Sequence, residues 1–291
     1  MNIILDGSNL LHRAHWINQA RKQDSINDDM YIFLNSLRSY ARMFNTKNIY
    51  CAWDAKLVYP STNFRHKLTE GEYKGQRDQD KSKHVWDCTQ KLYDVLTSLG
   101  IKNMFPRIME ADDVISWLSK NLKGPNVIIT VDKDMLQLIN ESNCVFEPRT
   151  KTLIDTKNFT QEVGIEREYF VAYKAINGDT ADNLPGIKGY GEVKSKTLAK
   201  DYVNGLIQDK SMIKLIEENI KLMDLSVGYE IAGPEESNSY GTQFNSMLNL
   251  APDLVKFKQY CEEYKFNSFI KGFDQWKDIF KQSRLLDLLG H

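Results

Sequence analysis

Nine carboxylates stand in spacings that allow acids to act together: Asp6, Asp54, Glu110, Asp112, Asp113, Asp132, Asp134, Asp179 and Asp182. They fall in short groups, Glu110-Ala-Asp112-Asp113, Thr130-Val-Asp132-Lys-Asp134 and Gly178-Asp179-Thr-Ala-Asp182-Asn183 among them. Gathered at one place, such acids repel one another unless cations lie between them. Oxygen ligands with no His or Cys suit Mg²⁺ or Mn²⁺. Two such ions, roughly 4 Å apart and spanned by shared carboxylates, form the arrangement that hydrolyses a phosphodiester. One lowers the pKa of an attacking water and the other stabilises the leaving oxygen. A helix N-terminus also favours acids, through its dipole and its free N–H groups. That explanation suffices for Asp112 and Asp113 alone, but does not extend to four separated clusters.

These acids need elements that bring them together. Residues 2–5, 49–53 and 127–131 are apolar runs that read as buried strands, and each is followed at once by an aspartate: Asp6, Asp54 and Asp132. Helical spacing lies between them, at residues 32–44, 85–99 and 114–122. Strands alternating with helices predict an α/β fold with a parallel sheet and helices on both faces. Ligands in such sheets bind outside the carboxyl ends of the strands, so three aspartates converge on one crevice. Glu110 and Asp113, three apart at the opening of a helix, share one face. Beyond about residue 166 the strand runs stop. Residues 166–177, 194–203 and 212–223 read as helices around a glycine-rich turn at 178–191. Residues 237–246 read as a polar loop, and 254–264 and 276–289 as terminal helices. This divides the chain into an α/β core over 1–165 and a helical region over 166–291.

Composition narrows the class. The chain has 291 residues, 42% hydrophobic and 26% charged, values of a folded protein with a full core. No apolar run approaches the ~20 residues that cross a bilayer. Met1–Asp6 has no basic segment and does not read as a signal peptide. The four cysteines never pair at C-x-x-C spacing, so a reduced, cytoplasmic protein is expected and zinc through Cys and His is not. His12 and His15 read as helix residues without ligand partners, and Arg13 as an ion-pair partner for the acids. The net charge of −1 argues mildly against nucleic acid as a partner. Residues 56–83 nevertheless carry seven Lys and Arg against four acids.

The ordered motifs resemble one family. Asp6-Gly-Ser-Asn9, Trp53-Asp54, Phe64-Arg65, Tyr73-Lys74-Gly-Gln-Arg77, Glu110-Ala-Asp-Asp113, Thr130-Val-Asp-Lys-Asp134 and Asp182-Asn-Leu-Pro-Gly-Ile-Lys-Gly-Tyr-Gly191 follow in the order of the 5′ nucleases. That family comprises flap endonucleases, the 5′-exonuclease domain of bacterial DNA polymerase I and phage 5′-exonucleases. The resemblance covers about residues 1–205 and implies a stand-alone protein of phage type. It implies an Mg²⁺- or Mn²⁺-dependent enzyme acting as 5′→3′ exonuclease and flap endonuclease, with RNA primers as a further substrate. Asp6, Glu110, Asp112 and Asp132 would form one metal site, Asp134, Asp179 and Asp182 would extend it to a second, and Asp54 and Asp113 would lie near both.

Further roles follow from the same resemblance. Residues 60–90 would form a short arch over a single 5′ strand, with Lys74 and Arg77 as catalytic cations on the scissile phosphate and Arg65 and Tyr73 as DNA contacts. Residues 175–205 would form a helix–hairpin–helix. Its Gly186, Lys188, Gly189, Gly191, Lys194 and Lys196 would grip duplex phosphate, and its carbonyls would hold one K⁺. About two extra residues between Glu192 and Lys196 leave open which lysine meets phosphate. The partner would be branched or nicked duplex DNA, or an RNA–DNA hybrid, bound by a monomer. Residues 285–289 resemble short leucine-rich tethers to a sliding clamp; they also suit a packed amphipathic helix. Two other readings are a PIN-type ribonuclease, and a non-catalytic protein that binds DNA junctions.

Overall fold

The computed structural model describes residues 1–22, 25–54, 64–69, 79–180 and 182–281. A six-stranded sheet runs in the order β3-β2-β1-β4-β5-β6. Strands β1 (Asn2–Asp6), β2 (Ile49–Ala52), β3 (Lys102–Met104), β4 (Asn126–Ile129) and β5 (Asn143–Glu147) are parallel. β6 (Thr152–Ile154) closes one edge antiparallel to β5. β1, β2 and β4 are buried at every position, as strands covered on both faces must be. Their side chains divide by the two-residue strand period. Ile3, Leu5, Ile49, Cys51, Val127 and Ile129 enter one core, and Ile4, Tyr50, Ala52 and Ile128 enter the other.

The helices in chain order are α1 (Gly7–Ala20), α2 (Ile26–Met43), α3 (Phe64–Leu68), α4 (Gln79–Ser98), α5 (Ala111–Asn121), α6 (Phe159–Val163) and α7 (Phe170–Asn177). They continue as α8 (Glu192–Val203), α9 (Lys210–Met223), α10 (Gly228–Ile231), α11 (Pro234–Ser246), α12 (Leu254–Glu263), α13 (Asn267–Lys271) and α14 (Asp274–Phe280). α1, α2 and α4 cover the first face of the sheet, together with Phe257, Phe269, Trp276 and Phe280 from the C-terminal helices. The second face packs on α5 and on Ala199, Ile216 and Tyr240 of the later helices. Both cores therefore draw on residues from either side of position 165, and the two regions fold around shared interiors. Among the described residues no helix is long and apolar enough to cross a membrane.

Two expectations change. Residues 237–246 are not a loop but belong to α11, which opens with Gly233 at φ 99° and Pro234 in the first turn. One of its acids is buried: Glu236 Oε1 accepts from the Arg107 backbone N–H at 2.8 Å and from the Tyr240 hydroxyl at 2.8 Å. The terminal helix ends at Phe280, which is fully buried; residues 282–291, including the proposed tether at 285–289, lie outside the described residues.

Candidate active site

The chain leaves β1 for β2 and β3 on one side, then returns to place β4 on the other. This reversal opens a crevice at the carboxyl ends of β1 and β4, the position where ligands bind in such sheets. Asp6 is the last residue of β1, and Asp132 follows β4 by three residues. Asp6 is 3% exposed. Its Oδ1 accepts from the Asn9 N–H at 3.1 Å, capping α1, and its Oδ2 accepts from the Thr130 hydroxyl at 2.7 Å. Burial pushes its carboxyl up to about 7; the Thr130 hydroxyl opposes the shift, while Asp132 and Asp54 add to it. Asp132 Oδ1 accepts from the Asp134 N–H at 2.8 Å, which seats the second acid of that motif. Burial and the neighbouring Asp132 raise Asp134 to about 6, against the pull of Lys174.

Asp54 Oδ1 accepts from the Ala111 N–H at 3.0 Å, tying the end of β2 to the start of α5. The Asp54 N–H donates in turn to Ser8 Oγ at 2.8 Å. Glu110 precedes α5 and Asp112 lies half-buried in its first turn. Asp179 and Asp182 stand between α7 and α8. The turn that carries them is closed by reciprocal backbone bonds between Asp179 and Leu184, and by the Ile187 N–H to Ile176 O at 2.8 Å. Gly186 permits this closure: a Cβ there would stand 2.3 Å from the Asn177 carbonyl oxygen.

Lys174 of α7 joins two acid groups, a residue that its sequence position gave no reason to single out. Its Nζ lies 2.8 Å from Asp134 Oδ1 and 2.8 Å from Asp179 Oδ2. Burial disfavours its charge, but Asp134 and Asp179 outweigh that and hold the ammonium well above its ordinary pKa. One internal cation thus draws the acidic motif at 132–134 and that at 179–182 together.

Arg65 and Asp113 take other roles than those expected. Arg65 is 2% exposed, so it cannot reach DNA from this position. Its Nη1 and Nη2 hold the Asp113 carboxylate at 2.9 and 3.0 Å, its Nε donates to Leu222 O at 3.0 Å, and Nη1 reaches Glu110 at 3.3 Å. Asp113 is fully buried, also accepts from the Glu110 N–H at 3.2 Å, and has no face left for a cation. Gly228 covers this pair, since a Cβ there would stand 2.3 Å from Asp113 Oδ1.

Other expectations are corrected by packing. Arg13 lines a small cavity with Leu10 and Tyr40 and makes no ion pair with the acids among the described residues. His15 does have partners, a hydrogen bond to Asp29 and a ring contact with His84. Of the cations between α7 and the first turns of α8, Lys188 and Lys194 are exposed, while Lys196 pairs with Glu192 at 2.9 Å and covers the Tyr173 ring. Gly189 has φ 90° and Gly191 precedes α8. Tyr73, Lys74 and Arg77 lie outside the described residues.

The family described as 5′-3′ exonuclease, N-terminal resolvase-like domain, matches residues 1–164. The 5′-3′ exonuclease of Mycoplasmopsis pulmonis is 32% identical over 203 residues, which cover 69% of this chain and 66% of that one. The 5′-3′ exonuclease of Aquifex aeolicus is 26% identical over 287 residues, 96% of each chain. Among solved structures, a bacteriophage T5 flap endonuclease complex with DNA and metal ions superposes with a TM-score of 0.69 at 19% identity, over 84% of this chain and 98% of that one. This last likeness is one of fold.

Proposed function

Because this chain belongs to the 5′-3′ exonuclease family, we propose that it is a structure-specific 5′ nuclease, cutting phosphodiesters at 5′ ends and 5′ flaps of duplex DNA with two Mg²⁺ or Mn²⁺ ions. The observation that carries the reading is the convergence of Asp6, Asp132 and Asp134 at the strand switch, where Asp132 bonds the Asp134 N–H and adds to the burial that pushes Asp6 up to about 7 and Asp134 to about 6. Such acids are poorly accommodated without a cation, and their all-oxygen donor set fits a hard divalent ion. Asp6, Glu110, Asp112 and Asp132 would hold the first ion, and Asp134, Asp179 and Asp182 the second, with Asp54 beside them. Bound ions of this kind supply an acidified water and stabilise the leaving oxygen.

The chain's own groups prepare that site. Thr130 orients Asp6, the Asp134 N–H orients Asp132, and Lys174 keeps Asp134 and Asp179 within reach of one another. Asp113 contributes from behind, locking Glu110 and the start of α5 through Arg65. Lys188, Lys194 and the N-terminus of α8 would meet duplex phosphate without reading sequence, with Gly186, Gly189 and Gly191 shaping the hairpin. One K⁺ held by hairpin carbonyls belongs to the same reading. Lys74 and Arg77 would meet the scissile phosphate.

The test is cleavage of a labelled 5′-flap duplex with and without Mg²⁺, beside a single-stranded RNA control and an RNA–DNA hybrid. Flap cleavage that requires Mg²⁺ and vanishes in Asp132→Asn supports the proposal. Cleavage of single-stranded RNA alone, or flap binding without cleavage, overturns it.

A further inference from the structure

Outside the crevice, three side chains from three helices converge. His15 of α1 and His84 of α4 both address Asp29 of α2: His15 Nδ1 lies 2.9 Å and His84 Nε2 2.7 Å from Asp29 Oδ2. The two imidazole centroids are 4.3 Å apart. Among the described residues, this is the one group of three His, Cys, Asp or Glu whose ligand atoms all lie within 4.8 Å of one another. Asp29 is 1% and His15 5% exposed, and the His84 side chain, 23% exposed, forms the solvent side. We propose that His15, Asp29 and His84 form a second metal site, for a transition-metal dication of the zinc class, which fastens the start of α4 to α1 and α2.

The donor set argues for that class of ion. Two imidazole nitrogens and one carboxylate, with a fourth position left to water, suit Zn²⁺ or Co²⁺ and are a poor match for Mg²⁺. The carboxylate is oriented from behind, as metal ligands require: Asn18, fully buried, donates Nδ2 to Asp29 Oδ1 at 2.8 Å. A second observation points the same way. Asn18 Oδ1 is buried with no hydrogen-bond partner among the described residues, which leaves an acceptor to spare on the amide that orients Asp29. The present separations are those of hydrogen bonds. Ligands at about 2.0–2.1 Å from a tetrahedral ion stand about 3.3–3.5 Å apart, so an opening of roughly half an ångström and loss of the bridging protons admits one.

The site is distinct from the carboxylate crevice. His15 lies nine residues beyond Asp6 along α1, about 13 Å of helical rise. Its position gives it a use: α4 begins at Gln79, directly after the segment holding Lys74 and Arg77, and His84 is on its second turn. An ion there fixes the start of α4 against α1 and α2.

The test titrates Co²⁺ into the full-length protein in excess Mg²⁺, which occupies oxygen-only sites, and reads visible d–d absorption and melting temperature. One equivalent should bind with a tetrahedral-type band, raise the melting temperature and be displaced by Zn²⁺. Asp132→Asn should keep this signal. His84→Ala, with His84→Asn in reserve should the first variant not fold, should weaken binding roughly tenfold or more. No stoichiometric Co²⁺ binding in excess Mg²⁺, or equal binding by wild type and the His84 variants, overturns the proposal.

Discussion

Removing the guanidinium in Arg65→Ala tests whether this residue holds the fold or touches DNA. Its five-donor fork meets the Asp113 carboxylate at 2.9 and 3.0 Å and the Leu222 carbonyl at 3.0 Å, with the guanidinium 2% exposed and Asp113 fully buried. Alanine leaves a buried carboxylate with one remaining donor, the Glu110 N–H at 3.2 Å. Losing one partner of a buried pair costs about 3–5 kcal/mol. At about 2–4 °C per kcal/mol for a chain of this order of size, the melting temperature should fall by about 6–20 °C. The double replacement Arg65→Met with Asp113→Leu should recover most of that, because a buried ion pair exchanged for apolar side chains of similar volume is often neutral. Calorimetry on the metal-free protein reads both. A surface phosphate contact would behave otherwise, leaving the melting temperature unchanged and reducing the salt dependence of duplex binding by about one phosphate contact. That second pattern would refute the structural role.

Asp132→Asn should cut turnover by roughly a hundredfold or more while flap affinity holds, measured by single-turnover cleavage and by binding in Ca²⁺. Asp6 and Asp134 have folded pKa values of about 7 and 6, above the usual 3.8. Their stabilising contribution is therefore present at pH 4 and lost as pH rises through 6 and 7. In EDTA, Asp6→Asn should raise the melting temperature more at pH 8 than at pH 5, and Mg²⁺ should stabilise the wild type more at pH 8. Lys174→Ala should destabilise the metal-free protein by about 1–3 kcal/mol, with Mg²⁺ restoring much of the loss, as read by thermal melts with and without the ion. Gly228→Ala should cost about 1–3 kcal/mol by forcing α10 off Asp113, measured by urea unfolding.

What the sequence determined by itself is the part written in local periods. Continuous apolar runs at β1, β2 and β4 announced buried parallel strands, and the aspartates behind them announced the crevice. Period-3.6 patterns announced α2, α4, α5, α8 and α9. β3, with the sequence Lys-Asn-Met, the three-residue β6, and β5, whose apolar residues are flanked by Asn143 and Glu147, carry no such run, so their place comes from pairing with neighbours. α11 was hidden because its buried face includes Glu236, a charge met by the Tyr240 hydroxyl one turn on in the same helix and by the Arg107 N–H brought from a distant segment.

Tertiary structure alone decided which charges do which work. Asp112 and Asp113 are adjacent and chemically alike, yet one helical step of about 100° leaves the first half-buried in the α5 turn and turns the second onto Arg65. Arg65 reads as one more cation in a basic stretch until α9 and α5 close around it. Lys174 and the His15–Asp29–His84 cluster have no sequence signal because their partners lie on separate elements, where spacing along the chain says nothing of distance in space. Residue type and period set what each segment can bury, whereas the pairing of buried charges depends on packing across elements, which no local pattern encodes.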